Sequence, residues 1–177
     1  MHCLIVGAPG VGKSTLIRRV LQELNRPIGG FLTKKEKGIF HPILGNPIYI
    51  YAVGEEEKQC EENLIGYCKD RRPVVYKEGF DRFAPHLVEP VPQDGIVVMD
   101  EIGFMESASE AFCQGVLGLL DGEVPVLAGV KDKDTPFLTK VRTHPKATCF
   151  YLTEENRDRV FLEVLEYMND EKIMGIY

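Results

Sequence analysis

The stretch VGAPGVGKSTL, residues 6–16, decides the fold of this chain. It follows the short apolar run Cys3–Val6. It leads into Ser14–Asn25, where apolar residues recur at the spacing of one face of a helix. Three glycines and a lysine therefore lie where a buried strand turns into an amphipathic helix.

Each residue type in this turn suits the binding of a polyphosphate, and the pattern G-x-x-x-x-G-K-[ST] is that of a P-loop, or Walker A motif. Glycines allow the backbone to approach the phosphates closely, and the start of the helix adds N–H donors and a positive dipole end. We expect Lys13 to reach the β- and γ-phosphates, Ser14 to ligate Mg²⁺ and Thr15 to contact the α-phosphate. The predicted phosphate-binding residues are Gly7, Ala8, Pro9, Gly10, Val11, Gly12, Lys13, Ser14 and Thr15.

Two carboxylates follow a second apolar run, Ile96–Met99, whose four consecutive apolar residues predict a strand buried on both faces. Ligands of open α/β sheets bind at the carboxyl ends of the strands. Asp100 is predicted to hold Mg²⁺ together with Ser14, as in a Walker B strand, and Glu101 to orient and deprotonate a water. The predicted nucleotide-binding set extends through Asp100, Glu101, Ile102 and Gly103.

Apolar runs alternate with helical patterns along the chain, which predicts an α/β fold with a mostly parallel sheet and helices on its faces. The predicted strands are Cys3–Val6, Ile96–Met99, Val124–Val130 and Thr148–Leu152, and the predicted helices are Ser14–Asn25, Ser107–Leu120 and Glu154–Met168. Residues 28–95 break this rhythm and are interpreted as a β-rich elaboration within a single domain, 1–177. Its predicted hairpin pairs Ile39–Leu44 with Ile48–Val53 across the turn-forming cluster Gly45, Asn46 and Pro47.

Composition narrows the class of protein. The 177 residues include five scattered cysteines without a C-x-x-C pair, which favours reduced thiols and a cytoplasmic location. No apolar stretch is long enough to span a bilayer, and the amino-terminal residues lack the basic region of a signal peptide. The net charge of −6 predicts no broad nucleic-acid surface. The oligomeric state is left open.

Taken together, these motifs resemble the small P-loop nucleoside-triphosphatases, known from thermophilic microbes and from a human cancer-related member. The likeness covers most of the chain and rests on GAPGVGKST (7–15), GGFLT (29–33), DEIGFME (100–106), VLAGVKDKDTPFLTKVRTHP (126–145) and LTEENRD (152–158). It implies a three-layer, RecA-like core and slow, Mg²⁺-dependent hydrolysis of nucleoside triphosphates with loose base preference. Two departures stand out. The family usually carries a Glu and an Arg where this chain has Lys34–Gly38, and a Lys where it has Phe104.

Further cations allow two interpretations each. Arg157 begins the last predicted helix, where it could supply positive charge to the phosphoryl group as an arginine finger does, or pair with Glu154 or Asp158 on the surface. Four basic residues that follow the predicted strand Val124–Val130 could form a lid over the phosphates, but the aspartates among them favour a solvated surface. These residues are Lys131, Lys133, Lys140 and Arg142.

The leading functional hypothesis is hydrolysis of ATP, GTP and other nucleoside triphosphates to the diphosphate and phosphate, with Lys13, Glu101 and Arg157 as catalytic residues. A small-molecule or nucleotide kinase is the first alternative, because residues 28–95 could house an acceptor. A nucleotide-gated regulatory module with little turnover is the second.

Overall fold

The computed structural model describes residues 1–92 and 94–174. The strands are β1 (His2–Gly7), β2 (Ile28–Lys35), β3 (Asn46–Ala52), β4 (Leu64–Lys69), β5 (Arg72–Val75), β6 (Ile96–Ile102), β7 (Val126–Lys131) and β8 (Ala147–Tyr151). The helices are α1 (Lys13–Leu24), α2 (Lys77–Phe83), α3 (Glu110–Asp121), α4 (Pro136–Arg142) and α5 (Arg157–Met174). Short 3₁₀ turns lie at Glu61–Asn63, Ala84–Val88 and Met105–Ala108.

All eight strands form one sheet in the order β5-β4-β3-β2-β6-β7-β1-β8. The pairs β2–β6, β6–β7, β7–β1 and β1–β8 are parallel, and β3, β4 and β5 extend the β2 edge in antiparallel fashion. The predicted α/β fold with a mostly parallel sheet is confirmed. Within the described residues, no helix combines the length and the apolar character needed to cross a membrane.

β1 is buried on both faces, because its side chains point alternately to two cores that helices cover. In β1, Leu4 and Val6 pack into one core together with α2, α3 and α4. Cys3 and Ile5 pack into the other core, with α1 and α5. The four predicted core strands and three predicted helices are found within a few residues of their expected bounds.

The predicted hairpin is wrong in one of its two strands. β3 pairs with β2, and residues 39–45 form a loop closed by an isolated antiparallel bridge between His41 and Gly45. The side-chain amide of Asn46 holds this loop by donating to the carbonyl oxygens of Glu36 and Ile39, at 3.1 and 2.8 Å. Residues 39–44 are a poor partner for β3 because Pro42 has no N–H to donate to a strand pairing. β2 has N–H groups on both edges and pairs with β6 and β3.

His2 opens β1 with its side chain fully buried, and we predict that it makes the fold sensitive to acid. Burial, helped by the positive chain terminus, lowers the pKa of His2 from 6.5 to about 4. Between these values the unfolded chain binds a proton that the folded chain excludes, so stability falls as pH falls from 6.5 to about 4, by at most about 3 kcal/mol.

Urea unfolding at about pH 7 and about pH 5 checks this prediction. The uncharged variant His2→Asn should lose less stability on acidification than the wild type. His86→Asn, which removes a histidine whose side chain is 46% exposed, should lose as much as the wild type. Equal losses in all three proteins would contradict the prediction.

Candidate active site

The loop between β1 and α1 wraps around the ammonium group of its own lysine. Gly10 and Gly12 take positive φ angles of 78° and 111°, a conformation that favours glycine. Lys13 Nζ donates to the carbonyl oxygens of Gly7 and Ala8, both at 2.8 Å, and the residue is only 4% exposed. Gly12 caps α1 without a side-chain hydrogen bond. The loop therefore presents backbone N–H groups and a fixed cation at one helix start, which suits an anion.

Ser14 and Asp100 meet at the mouth of this loop. Ser14 Oγ donates to Asp100 Oδ1 over 2.8 Å, although the residues are far apart in sequence. Burial raises the pKa of Asp100, and the hydrogen bond from Ser14 acts in the opposite direction. A hydroxyl and a carboxylate are hard oxygen donors of the kind that Mg²⁺ takes alongside waters and substrate phosphates. The described residues contain no cluster of three or more His, Cys, Asp or Glu able to hold a metal by themselves. The pair therefore fits an ion that arrives with a phosphate ligand.

Glu101 reaches the same cavity as Asp100 because the strand pairing is interrupted between them. Neighbouring residues of a regular strand point to opposite faces. Here Asp100 pairs with Gly129 and Ile102 pairs with Val130, so Glu101 is left as the extra residue of a bulge. A bulge of this kind re-aims a side chain. The result is a second carboxylate beside the loop, with Glu101 Oε2 3.1 Å from Lys13 Nζ.

Two further residues line this site: Lys131, for which a surface position was favoured over a lid, and Thr33, which was not predicted to belong to it. Lys131, at the end of β7, has its Nζ 3.4 Å from Glu101 Oε1, so its interpretation as a solvated surface residue is wrong. Thr33, on β2, accepts from the Glu101 N–H at 3.4 Å. The available signal was position, because Lys131 ends a buried strand of the parallel sheet and Thr33 lies just beyond the part of β2 that pairs with β6.

These groups surround a cavity of about 350 Å³. Its lining residues are Pro9, Gly10, Gly12, Lys13, Ser14, Thr15, Thr33, Asp100, Glu101 and Lys131. Ile102 and Gly103 are not brought to it. Ile102 is fully buried in the core beneath, and the Gly103 N–H donates to Glu106 Oε2 at 2.9 Å.

A second cavity of about 380 Å³ lies on the other side of the same loop and shares Pro9 and Gly10 with the first. The predicted residues Gly7, Ala8 and Val11 line this one. The remaining wall comes from the ends of β7 and β8, with Asp132, Tyr151, Thr153 and Glu154 among its residues.

Arg157 packs against the P-loop from outside the first cavity. Its Nε donates to the carbonyl oxygen of Val11 at 2.8 Å, and its guanidinium lies against Gly12. Asp158, one of the two partners considered for a surface ion pair, lies instead 3.4 Å from Arg19. The arginine thus supports the backbone of the loop, and it is not among the residues that line either cavity.

The aromatic ring of Phe104, which stands where a lysine was expected, lies against two cations. Lys131 Nζ and Lys133 Nζ are 5.7 and 4.8 Å from the ring centroid. Such contacts are attractive because the ring face carries partial negative charge. Positive charge therefore reaches this corner of the site from β7 and the residues after it. Arg142 turns away and pairs with Asp134 at 2.8 Å.

This chain is similar in sequence and in structure to known nucleoside-triphosphatases. Residues 2–165 match the family model described as NTPase. The nucleoside-triphosphatase THEP1 of Pyrococcus abyssi is 34% identical over 99% of this chain and 95% of that protein. A cancer-related nucleoside-triphosphatase homolog of Bos taurus is 28% identical over 97% of this chain and 98% of its own length. The crystal structure of THEP1 from the hyperthermophile Aquifex aeolicus superposes with a TM-score of 0.71 at 25% identity, covering 95% of this chain and 99% of that one.

Replacing Gly12 in the loop and Gly118 in α3 by alanine should change the stability of the protein in opposite directions. Gly12→Ala should destabilise the protein by about 1–2 kcal/mol, because φ is 111° and a Cβ would lie 3.3 Å from Arg157 Nε. Gly118→Ala, in α3 with open space around it, should stabilise it by about 0.5–1 kcal/mol. Chemical denaturation measures both changes, and a Gly12→Ala protein as stable as the wild type would refute the assignment of backbone strain to Gly12.

Proposed function

This chain belongs to the NTPase family and is a nucleoside-triphosphatase, and we propose that it hydrolyses Mg²⁺-bound ATP, GTP and other nucleoside triphosphates in the cavity between the P-loop and β6. The observation that carries this proposal is the convergence of one cation and two carboxylates. Lys13 Nζ lies 3.1 Å from Glu101, and Ser14 Oγ lies 2.8 Å from Asp100. Such a site can bind a triphosphate and direct a water at its γ-phosphorus.

Ser14 and Asp100 would hold the Mg²⁺. When bound, the ion neutralises charge on the phosphate oxygens. The chain itself supplies the remaining electrostatic stabilisation. Lys13 is fixed by the carbonyl oxygens of Gly7 and Ala8, so its ammonium needs little reorganisation to face a phosphate.

Glu101 is the proposed general base. A carboxylate at this point accepts a proton from water and orients the oxygen toward the phosphorus. Its two oxygens face Lys13 and Lys131, at 3.1 and 3.4 Å. A γ-phosphate that enters the cavity competes for both lysines. Glu101 is then released from its ion pairs and becomes available to the attacking water.

The second cavity is the proposed place of the nucleoside. A triphosphate wrapped by the loop leads into this cavity, since Pro9 and Gly10 border both spaces. Tyr151 is 58% exposed at its wall and offers a ring face on which a base can stack. Stacking tolerates any base, because every base has a π-face, so we expect this site to accept different bases.

The cellular setting follows from charge and cysteine chemistry. The five cysteines are scattered along the sequence without a C-x-x-C pair, which is typical of proteins in a reducing compartment, and we propose that the protein acts in the cytoplasm. The net charge of −6 disfavours nucleic acid as a partner.

The proposal predicts that Glu101→Gln uncouples binding from hydrolysis. The amide keeps the shape of the side chain but cannot take a proton, so phosphate release should fall at least about a hundredfold. Affinity for a Mg²⁺-nucleotide should stay within a few-fold of the wild type. Phosphate detection and nucleotide titration measure the two quantities.

Two control variants complete this experiment. Glu56→Gln changes an exposed glutamate far from the loop and should leave both quantities unchanged. Lys13→Ala should lose affinity as well as rate. Unaltered phosphate release by Glu101→Gln would exclude the proposed base, and turnover that requires an added acceptor would identify a kinase.

The nucleoside cavity yields a separate prediction. Tyr151→Ala should raise KM for the nucleoside triphosphates about tenfold and leave kcat nearly unchanged, because a stacked base is worth about 1–3 kcal/mol. Tyr49→Ala is the matched control, since Tyr49 packs on Tyr51 in the antiparallel part of the sheet, and its KM should not change. Steady-state kinetics with ATP and GTP test both variants, and equal KM values in all three proteins would contradict this placement.

A further inference from the structure

Glu106 is a buried carboxyl that the proposed hydrolysis does not use. It lies in the 3₁₀ turn Met105–Ala108, directly after β6, and is only 3% exposed. Charged residues are rarely buried to this degree unless they are paired or hydrogen-bonded. The stretch DEIGFME, residues 100–106, carries this glutamate close behind Asp100 and Glu101.

The contacts of Glu106 lead back to the proposed general base. Glu106 Oε2 accepts the Gly103 N–H at 2.9 Å. A Cβ on Gly103 would lie 3.4 Å from that same oxygen and 3.0 Å from Lys131 Cδ, so the carboxyl and the lysine stem pack against one glycine. The far end of the lysine, Nζ, lies 3.4 Å from Glu101 Oε1. Lys131 therefore runs between two carboxyl groups, one in the cavity and one behind it.

We infer that Glu106 is a positioning residue for Glu101: it holds the turn that ends β6 and shares the positive charge of Lys131 with the proposed base. This inference rests on the proposed function. When Glu106 is ionised, it attracts Lys131, which weakens the hold of that lysine on Glu101. When Glu106 is neutral, Lys131 pairs with Glu101 alone and holds that carboxylate away from an attacking water.

The charge state of Glu106 changes close to neutral pH. Burial raises its pKa to about 7, Lys131 on β7 opposes the rise, and Glu101 on β6 adds to it. From α3, Cys113 faces it, with Sγ donating to the Glu106 carbonyl oxygen at 3.2 Å. Burial and Glu106 together raise the pKa of Cys113 to about 11, so the thiol stays neutral in this range. Because a carboxyl loses its proton as pH rises, kcat should rise as pH increases through about 7.

The test is a pH profile of kcat and KM for Mg²⁺-ATP in the wild type, Glu106→Gln and Glu110→Gln. The glutamine amide oxygen can still accept the Gly103 N–H but carries no charge. We expect Glu106→Gln to have a kcat about tenfold below that of the wild type above neutral pH, without the step near pH 7, and a KM within about twofold. Glu110→Gln alters a neighbouring exposed glutamate and should keep the wild-type profile.

Two additional measurements cover the cases in which this profile cannot be recorded. If Glu106→Gln does not fold, Lys131→Met takes its place. Loss of the cation should move the pH step to higher pH, and an unmoved step overturns the inference. If the wild type releases no phosphate, the proposed function fails. Carbon NMR of the glutamate carboxyls then decides, because Glu101 should respond to the titration of Glu106 and should lose that response in Glu106→Gln.

A wild-type step near pH 7 that persists in Glu106→Gln, with normal kcat, overturns the inference while leaving the hydrolytic function in place. Absence of the Glu101 response in the NMR titration overturns it as well.

Discussion

A lysine ammonium can be buried only where it is paired, and the burial of Lys13 organises this molecule. Removing such a charge from water costs several kcal/mol unless oxygen atoms surround it. Lys13 finds two carbonyl oxygens within its own loop and one carboxylate oxygen on a different strand. The first two are local and depend on the glycine conformations of the loop. The third exists only because the sheet brings β6 near β1.

The sheet order explains how four neighbouring strands, β1, β7, β6 and β2, contribute to one cavity. β7 lies between β1 and β6, so the P-loop at the end of β1 and the carboxylates at the end of β6 lie on either side of it. Lys131, at the end of β7, occupies the gap and contacts Glu101. Parallel strands place all of these ends at the same edge. The antiparallel strands β3–β5 extend the opposite side of β2 and leave this edge open.

Acidic and basic side chains alternate from the cavity toward the core. Asp100 and Glu101 face the cavity, Lys13 and Lys131 flank Glu101, and Glu106 lies behind in the apolar core. In the proposed function, the negative charge of a bound nucleotide competes with Glu101 for both lysines. On this proposal, the binding of phosphate is what frees Glu101 to act as the base.

The sequence alone determined the features that depend on neighbouring residues: the P-loop and its lysine, the amphipathic helix after it, the four buried strands and the acidic end of β6. These signals are local, since a glycine turn, a helical period and an apolar run each lie within one segment. It did not predict the β2–β3 pairing. The apolar run 39–44 is next to β3 in sequence, and nothing in the run itself shows that the more distant β2 pairs with β3 instead. The tertiary structure alone decided that Lys131 and Thr33 join the cavity, that Arg157 supports the loop from outside, and that a bulge turns Glu101 toward Lys13. Each of these depends on register between strands distant in sequence, and register is set by packing across the whole sheet.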